Sequence, residues 1–520
     1  MNAVAGASTV RRPGIRRFHI AATAHLMGAV LTALLMLAPL ALAKENPAKD
    51  DKNPIPPGES ILRLLPEDSV TRHSVETRNG TLNYTTTAGT LPLRGQKGEQ
   101  RAAVFYTAYT LDDADAAKRP LTFVFNGGPG AASAYLHIGL AGPRIVSFGR
   151  SGRDGAAATV VDNPDTWLAF TDLVMIDPVG TGWSRASSAE DARAFWSIDK
   201  DAESLAKVIA LYTARNGRSG APKFILGESY GGFRAVKIAR ALQNEHGIVP
   251  SGLVLVSPLI ESSLLWGGQQ FALGAALGFP SLVASHLERT GTATPEEMAE
   301  AERFALTDYL AALAGRPPSG EKAKALYDTI ARMTGIPFET VERTRGLGSQ
   351  AFMEQARARG EIASLYDGAF TSPNPFPESL SGRREPDPVL DGFSRALSGA
   401  FSGYARSELN YKTDLTYLLL NNEVTRRWEW GDVRRPPGVS GDLRILLSLN
   451  PSLQVWTVHG RSDLVTPYGV SRYLLDRLAP ATDRIGFTTY RGGHMFYFEA
   501  EQRRMFADDA RAFYSRVTTD

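Results

Sequence analysis

Five residues, Gly227-Glu228-Ser229-Tyr230-Gly231, constrain this chain more than any other part of it. They follow the apolar run Phe224-Ile225-Leu226 and precede a helical pattern from Phe233 to Leu242, so the local order is buried strand, sharp turn, helix. A serine on such a turn needs glycine-sized residues two before and two after it, because the strained backbone leaves no room for side chains there. The turn also sets the hydroxyl at a helix N-terminus, where the dipole favours developing negative charge.

Other short apolar runs repeat the theme. Leu121 to Phe125, Leu173 to Ile176, Leu253 to Val256 and Leu453 to Val458 each end in a loop of small or polar residues, with helical stretches between several of them. Buried strands alternating with helices indicate a mostly parallel sheet, whose ligands sit at the carboxyl ends of the strands. Thr71 to Thr110, rich in Thr, Tyr and Val with an Asn79-Gly80 turn, reads as an antiparallel hairpin region before it. Between residues 261 and 441 the strand rhythm stops, and Pro295 to Ala314 and Gly320 to Thr334 carry apolar residues at helical spacing. This stretch is expected to be a helical cap inserted between two parts of an α/β core, residues 61–260 and 442–520. An independent helical domain is the alternative.

The N-terminal stretch has a different character. Arg11, Arg12, Arg16 and Arg17 precede an uncharged apolar run from Ile20 to Leu42 that ends in Ala41-Leu42-Ala43. Basic, apolar and small-residue regions in that order predict a signal peptide over residues 1–43, and hence an exported, periplasmic or secreted protein. An uncleaved anchor is the other reading of the same run. The polar, proline-rich residues 44–60 suit a flexible linker. The chain has no cysteine, so neither disulfides nor a lipid-bearing cysteine enter. With a net charge of +2 it offers no single-sign field for nucleic acid.

A serine hydroxyl is a weak nucleophile until a base takes its proton. Of eight histidines, His137, His459 and His494 stand in strand-end contexts. His494 lies in the glycine-rich loop Arg491-Gly492-Gly493-His494, after the apolar stretch Ile485 to Thr489 and near the C-terminus. Asp463, in the loop that follows Leu453 to Val458, is placed to orient the imidazole, with His459 as its strand-end neighbour. The chain order Ser229, Asp463, His494 is that of the α/β-hydrolase fold. Upstream, Asn126-Gly127-Gly128-Pro129-Gly130 caps a strand, and a glycine loop there lets backbone N–H groups approach an oxyanion.

With these residues in place the chain resembles the serine carboxypeptidase family, as a disulfide-free, bacterial-type member. The loop Asn126 to Gly130, the elbow Gly227 to Gly231 and the segment Asp177-Pro178-Val179-Gly180-Thr181-Gly182-Trp183-Ser184 carry the likeness. The resemblance implies an α/β-hydrolase fold and a peptidase acting on a peptide with a free C-terminus, without metal or organic cofactor. It implies an oxyanion hole from the N–H groups of Gly128 and Tyr230. It further implies that Asn126, Gly127 and a protonated Glu228 bind the terminal carboxylate, which favours acidic pH. Ala131 and Val124 depart from the family pattern harmlessly. A third departure matters more: the family's second glutamate, in an E-x-G-P segment, falls on Leu140, and no acid stands between Gly130 and Asp154 to replace it. Arg144 offers a fixed positive charge as one substitute, beside the plainer reading of a structural or surface arginine.

Leu140 keeps an esterase or acyltransferase on the same triad in play, and a non-catalytic binding protein is the reading from another class. Neither a zincin motif nor a P-loop is present, and Gly180-Thr181-Gly182 is too short for a dinucleotide fingerprint. Once the signal is removed, no membrane partner is expected. The residue preferred at the scissile bond and the oligomeric state are not encoded in any motif.

Overall fold

The apolar runs become the middle of a ten-stranded mixed sheet. In chain order the strands are β1 (Ser69–Thr77), β2 (Gly80–Arg94), β3 (Gln100–Leu111), β4 (Leu121–Phe125), β5 (Arg144–Phe148), β6 (Ala158–Asp162), β7 (Asp172–Ile176), β8 (Arg185–Ala186), β9 (Lys223–Glu228), β10 (Gly252–Val256), β11 (Glu361–Ala363), β12 (Thr371–Pro373), β13 (Gln454–Gly460) and β14 (Ile485–Tyr490). The sheet runs β1-β2-β3-β7-β4-β9-β10-β13-β14, with β8 added beside β3. Strands β1 to β3 are antiparallel, β3 meets β7 antiparallel, and every pair from β7 to β14 is parallel. This is the α/β-hydrolase fold. It is seen in a computed structural model that describes residues 61–150, 152–266, 270–378, 386–432, 434–478 and 482–519. The expected signal and linker, residues 1–60, lie outside the described residues.

Burial follows from position in the sheet. Every residue of β4, β7, β9 and β10 is buried, as central strands covered on both faces require. Edge strand β1 alternates between partly buried and exposed residues along most of its length. The helices Ile198–Arg215 and Tyr230–Ala241 cover one face, packing Leu205, Ile209 and Val236 with Ile225 and Leu255. On the other face the helix Ala500–Thr519 sets Phe513 and Tyr514 against Phe224, and Phe506 against Trp456.

Between β10 and β13 no described residue joins the main sheet. The helices Ala272–Thr290, Pro295–Phe304, Gly320–Thr334 and Gly348–Ala358 share their own apolar cluster around Phe279, Tyr309, Ile330 and Phe352. The helix Leu397–Ser407 instead joins the core of the sheet, where Phe401 and Tyr417 pack on Trp183. The stretch therefore divides into a helical cluster and a segment that braces the loops after β4 and β7. Two small features are not signalled by apolar periodicity: the hairpin β5–β6 and the ribbon β11–β12, both outside the main sheet.

The turn after β9 is a tight point of the sheet's carboxyl edge. Ser229 has φ 61° and ψ −126°, a conformation that costs a non-glycine residue about 1–3 kcal/mol and persists only where its surroundings impose it. Hydrogen bonds impose it here: Ser229 N donates to Val256 O at 2.9 Å, while Leu259 N and Gly232 N donate to Ser229 O at 3.1 and 3.0 Å. A β-carbon on Gly227 would lie 2.0 Å from Gly231 O, and one on Gly231 would lie 2.6 Å from Phe125 O. Since the clash is with backbone, Gly227→Ala is expected to destabilise the protein by about 3 kcal/mol. Equilibrium denaturation measures this, and an unchanged midpoint would show that the turn yields without cost.

Candidate active site

The carboxyl ends of β4, β9, β13 and β14 converge on one edge, and each delivers one of the residues singled out by the sequence. Asp463, completely buried in the loop after β13, accepts from His494 Nδ1 at 2.7 Å through Oδ2. The same oxygen accepts from Thr466 Oγ1 at 2.7 Å, and Oδ1 accepts from Val465 N and Thr466 N at 2.8 and 3.0 Å. Burial alone would raise this carboxyl, but the imidazole and these donors hold it below its ordinary value. Burial likewise works against the charged form of His494, yet the charge and hydrogen bond of Asp463, with Glu228 behind them, hold the imidazole above 6.5. Ser257 links the strands, its hydroxyl donating to His494 O at 3.0 Å and its amide to Val458 O at 2.7 Å.

Ser229 is partly exposed whereas His494 and Asp463 are buried, so the hydroxyl is the member of the three that faces solvent. No hydrogen bond joins Ser229 to His494 among the described residues; in a free site such contacts often tighten only around a substrate. The loop Asn126 to Gly130 lies directly against the elbow. A β-carbon on Gly127 would lie 2.6 Å from Tyr230 N, and Gly128 adopts φ 100° with its surface exposed. The loop is pinned from behind by Asn421 N to Gly130 O at 2.8 Å and Thr425 Oγ1 to Pro129 O at 2.6 Å. Ser133, three residues past it, donates through both amide and hydroxyl to Asp177 Oδ1 at 2.8 Å, which gives the Asp177 to Ser184 segment a structural task.

Glu228 is the unusual group. It is buried at the end of β9, with Asn126 Nδ2 donating to Oε2 and Tyr497 Oη donating to Oε1 at 2.6 Å. Burial pushes its carboxyl up to about 7, against the opposing influence of His494 and of both hydrogen bonds. The amide of Asn126 has a defined orientation, because its Oδ1 accepts from Leu136 N at 3.0 Å. Leu140, at the position of the missing acid, is completely buried in the core.

Arg144 does not serve as the substitute cation. Its guanidinium pairs with Glu408 at 2.9 Å and with Asp162 across the β5–β6 hairpin, so two carboxylates already neutralise it. Both acids are remote in sequence from the motif beside which Arg144 stands. His459 is buried at the end of β13, its imidazole pushed down to about 3 by burial and hence neutral. His137 bonds Tyr109 Oη at 2.6 Å inside the core.

Sequence reasoning missed three contributors. Tyr497 is one. The others come from the inserted stretch, where the segment after β11 clasps both loops that carry Asp463 and His494. His494 N donates to Tyr366 O at 2.6 Å, Leu464 N to Leu365 O at 3.0 Å, and Ser462 Oγ to Asp367 Oδ1 at 2.8 Å. The Tyr366 ring meets the imidazole edge to face at 5.3 Å. From the helix Ala272–Thr290, Glu288 accepts the Gly492 amide at 2.9 Å. Nothing in Ser285-His286-Leu287-Glu288-Arg289-Thr290 marks Glu288 in advance, because an acid near a helix end ordinarily faces solvent. No cluster of three or more metal-ligating residues occurs among the described residues.

The family model described as serine carboxypeptidase matches residues 78–251, which hold the Asn126 loop, the Asp177 segment and the Ser229 elbow but not Asp463 or His494. A curated protein of Arthroderma benhamiae named "Probable serine carboxypeptidase" is 28% identical over 171 residues. That match covers 30% of this chain, and the chain spans only 29% of the relative's length. Both are likenesses to serine carboxypeptidases over part of the chain, the family match lying within its first half. Among solved structures, the peroxisomal alpha-beta-hydrolase Lpx1 from Saccharomyces cerevisiae has a TM-score of 0.37 at 12% identity, covering 87% of this chain and 90% of that one. A thermostable carboxyl esterase from Bacillus coagulans has a TM-score of 0.34 at 15% identity, covering 86% and 99%. Likenesses at these scores carry no weight for the reaction.

Glu288 gives a pH-dependent handle on the clasp. Burial pushes its carboxyl up to about 7 from 4.5, with the Gly492 amide opposing. The folded protein therefore keeps a proton that the unfolded chain releases, so this contribution favours folding at low pH and is lost as pH rises through about 7. Glu288→Gln, which retains an acceptor for Gly492, is expected to flatten the fall in unfolding free energy between 4.5 and about 7 by on the order of 1 kcal/mol per pH unit. Denaturation at a series of pH values checks it, and an unchanged slope would remove Glu288 from the account.

Proposed function

We propose that the protein is a serine-type carboxypeptidase that releases C-terminal residues from peptides through an acyl-enzyme on Ser229. The observation that carries this reading is Glu228: a buried carboxyl with its pKa near 7, one residue before the serine. Below that value it is an acid with a proton to offer. A free C-terminal carboxylate is the ligand such a group suits, and an amide or ester terminus gains less from it.

In this reading Ser229 Oγ attacks the last peptide carbonyl while His494 Nε2 takes the hydroxyl proton, with Asp463 stabilising the imidazolium. The developing oxyanion is received by the N–H groups of Gly128 and Tyr230. Tyr230 opens a helix, so its N–H has no intrahelical partner. Collapse of the intermediate breaks the C–N bond, and His494 returns the proton to the departing amine. Water, deprotonated by His494, then attacks the ester carbonyl; the acid product leaves and the proton returns to Ser229. Until the amine leaves, Asn126, Gly127 and Glu228 hold the carboxylate of the departing residue.

Two protonation states must coincide. His494 must be neutral, which requires a pH above its raised value, and Glu228 must be protonated, which requires a pH below about 7. Cleavage of free-acid peptides should therefore rise and then fall through the neutral range, while cleavage of an ester keeps only the rising limb. Buried Leu140 favours the second reading, an esterase or acyltransferase, because one carboxyl stands where the family pattern has two.

The test compares a blocked dipeptide with its C-terminal amide and its ester from about pH 4 to about pH 8, with Ser229→Ala as control. A charge-assisted hydrogen bond of about 1.5–3 kcal/mol predicts a roughly tenfold to hundredfold preference for the free acid over the amide at low pH, lost in Glu228→Ala, which has no donor to offer. Ester cleavage alone would move the assignment to the second reading.

A further inference from the structure

Glu228 has two hydrogen-bond partners, and only Asn126 belongs to a recognised motif. The other, Tyr497, sits three residues past His494 in the short turn Phe496–Phe498, completely buried between the rings of Phe496 and Phe498 at 5.8 and 5.1 Å. Its hydroxyl reaches Glu228 Oε1 at 2.6 Å. Asn126 Nδ2 can only donate, since its amide is oriented by Leu136 N. Tyr497 also donates, and burial pushes its phenol well above 10, so it keeps its proton throughout the working range.

Both carboxyl oxygens of Glu228 thus receive hydrogen bonds from the protein, and none of its recorded partners takes a proton from it. A proton carried by the carboxyl is left to point at whatever occupies the site. We infer that Tyr497 is the specificity-determining positioning residue of this site: by holding Glu228 Oε1 from behind, its hydroxyl turns the acid's proton toward the terminal carboxylate of a peptide. This rests on the carboxypeptidase reading and supplies the partner that the absence of an acid at Leu140 leaves open. The chemistry differs from that of a second acid. Two neighbouring carboxyls share a proton and drive one of their pKa values up, whereas a phenol that donates to the carboxylate draws Glu228 down and leaves a single titration. The other titratable groups facing Glu228 are His494 and Asp463 from the two triad loops, Tyr135 from the segment after the Asn126 loop, and Tyr366 from the clasp.

The experiment uses the full-length protein, wild type and variant, on a blocked dipeptide and its ester. Tyr497→Phe is expected to raise KM for the free acid about fivefold to tenfold, with kcat within about twofold and the ester unaffected. Because the lost hydrogen bond favoured ionised Glu228, the alkaline limb for the free acid should move to higher pH. Site-specific fluorotyrosine at 497, a stronger donor of nearly the same shape, should move the limb the opposite way, and it serves should the phenylalanine variant not fold. Infrared titration of the protonated carboxyl band, assigned by its loss in Glu228→Gln, reads the same shifts without turnover. If Glu228→Ala abolishes the preference for the free acid while both Tyr497 variants leave KM and the limb in place, the role of Tyr497 is wrong and the carboxypeptidase reading stands. A wild type that does not favour the free acid, or a preference that survives Glu228→Ala, overturns both.

Discussion

Two chain segments touch at the carboxyl edge of the sheet with no side chains between them, and the site is arranged around that contact. Gly127 lies on the amide of Tyr230, and Gly227 and Gly231 face each other across the turn at Ser229. The contact lets a serine occupy a strained conformation, and it also buries the residue before the serine beneath the Asn126 loop. Under the loop, Arg234 donates to Asn126 O and pairs with Asp201 at 2.6 Å, both side chains almost wholly buried. Such a pair adds little net stability, but it would be costly to break and so fixes where the loop can sit.

Three buried carboxyl groups around this contact differ in the donors that surround them. Asp463 receives four hydrogen bonds, including one from the imidazole, and stays below the usual carboxylate range. Glu228 receives two and Glu288 one, and burial carries both to about 7. One edge of the sheet thus holds an ionised carboxylate against the His494 imidazole and, beside Ser229, a carboxyl that keeps its proton up to about 7, from the same chemistry in different surroundings.

The central strands were legible because each is a short, mainly apolar run: Leu121 to Phe125 is β4 itself, and β7, β9 and β10 extend their runs by at most three residues. Ser229 was legible from its glycines, and Asp463 and His494 from their order behind strands. Tyr497 was not. A tyrosine between two phenylalanines reads as core until the fold brings its hydroxyl across 269 positions to Glu228. For Arg144 the plainer reading holds: it lies close in sequence to the Asn126 loop, but its partners are acids from the next strand and Glu408. The clasp around Tyr366 depends on backbone hydrogen bonds between distant loops, which leave no periodicity to read.

The most direct test of the account is a count of protons. Calorimetric binding of a free-acid peptide to Ser229→Ala protein, in buffers of different ionisation enthalpy, measures how many protons enter the complex. If a neutral Glu228 receives the terminal carboxylate, binding above its value of about 7 takes up close to one proton per peptide, and the C-terminal amide of the same peptide takes up none. Uptake of no proton by the free acid, or equal affinity for acid and amide, would contradict it.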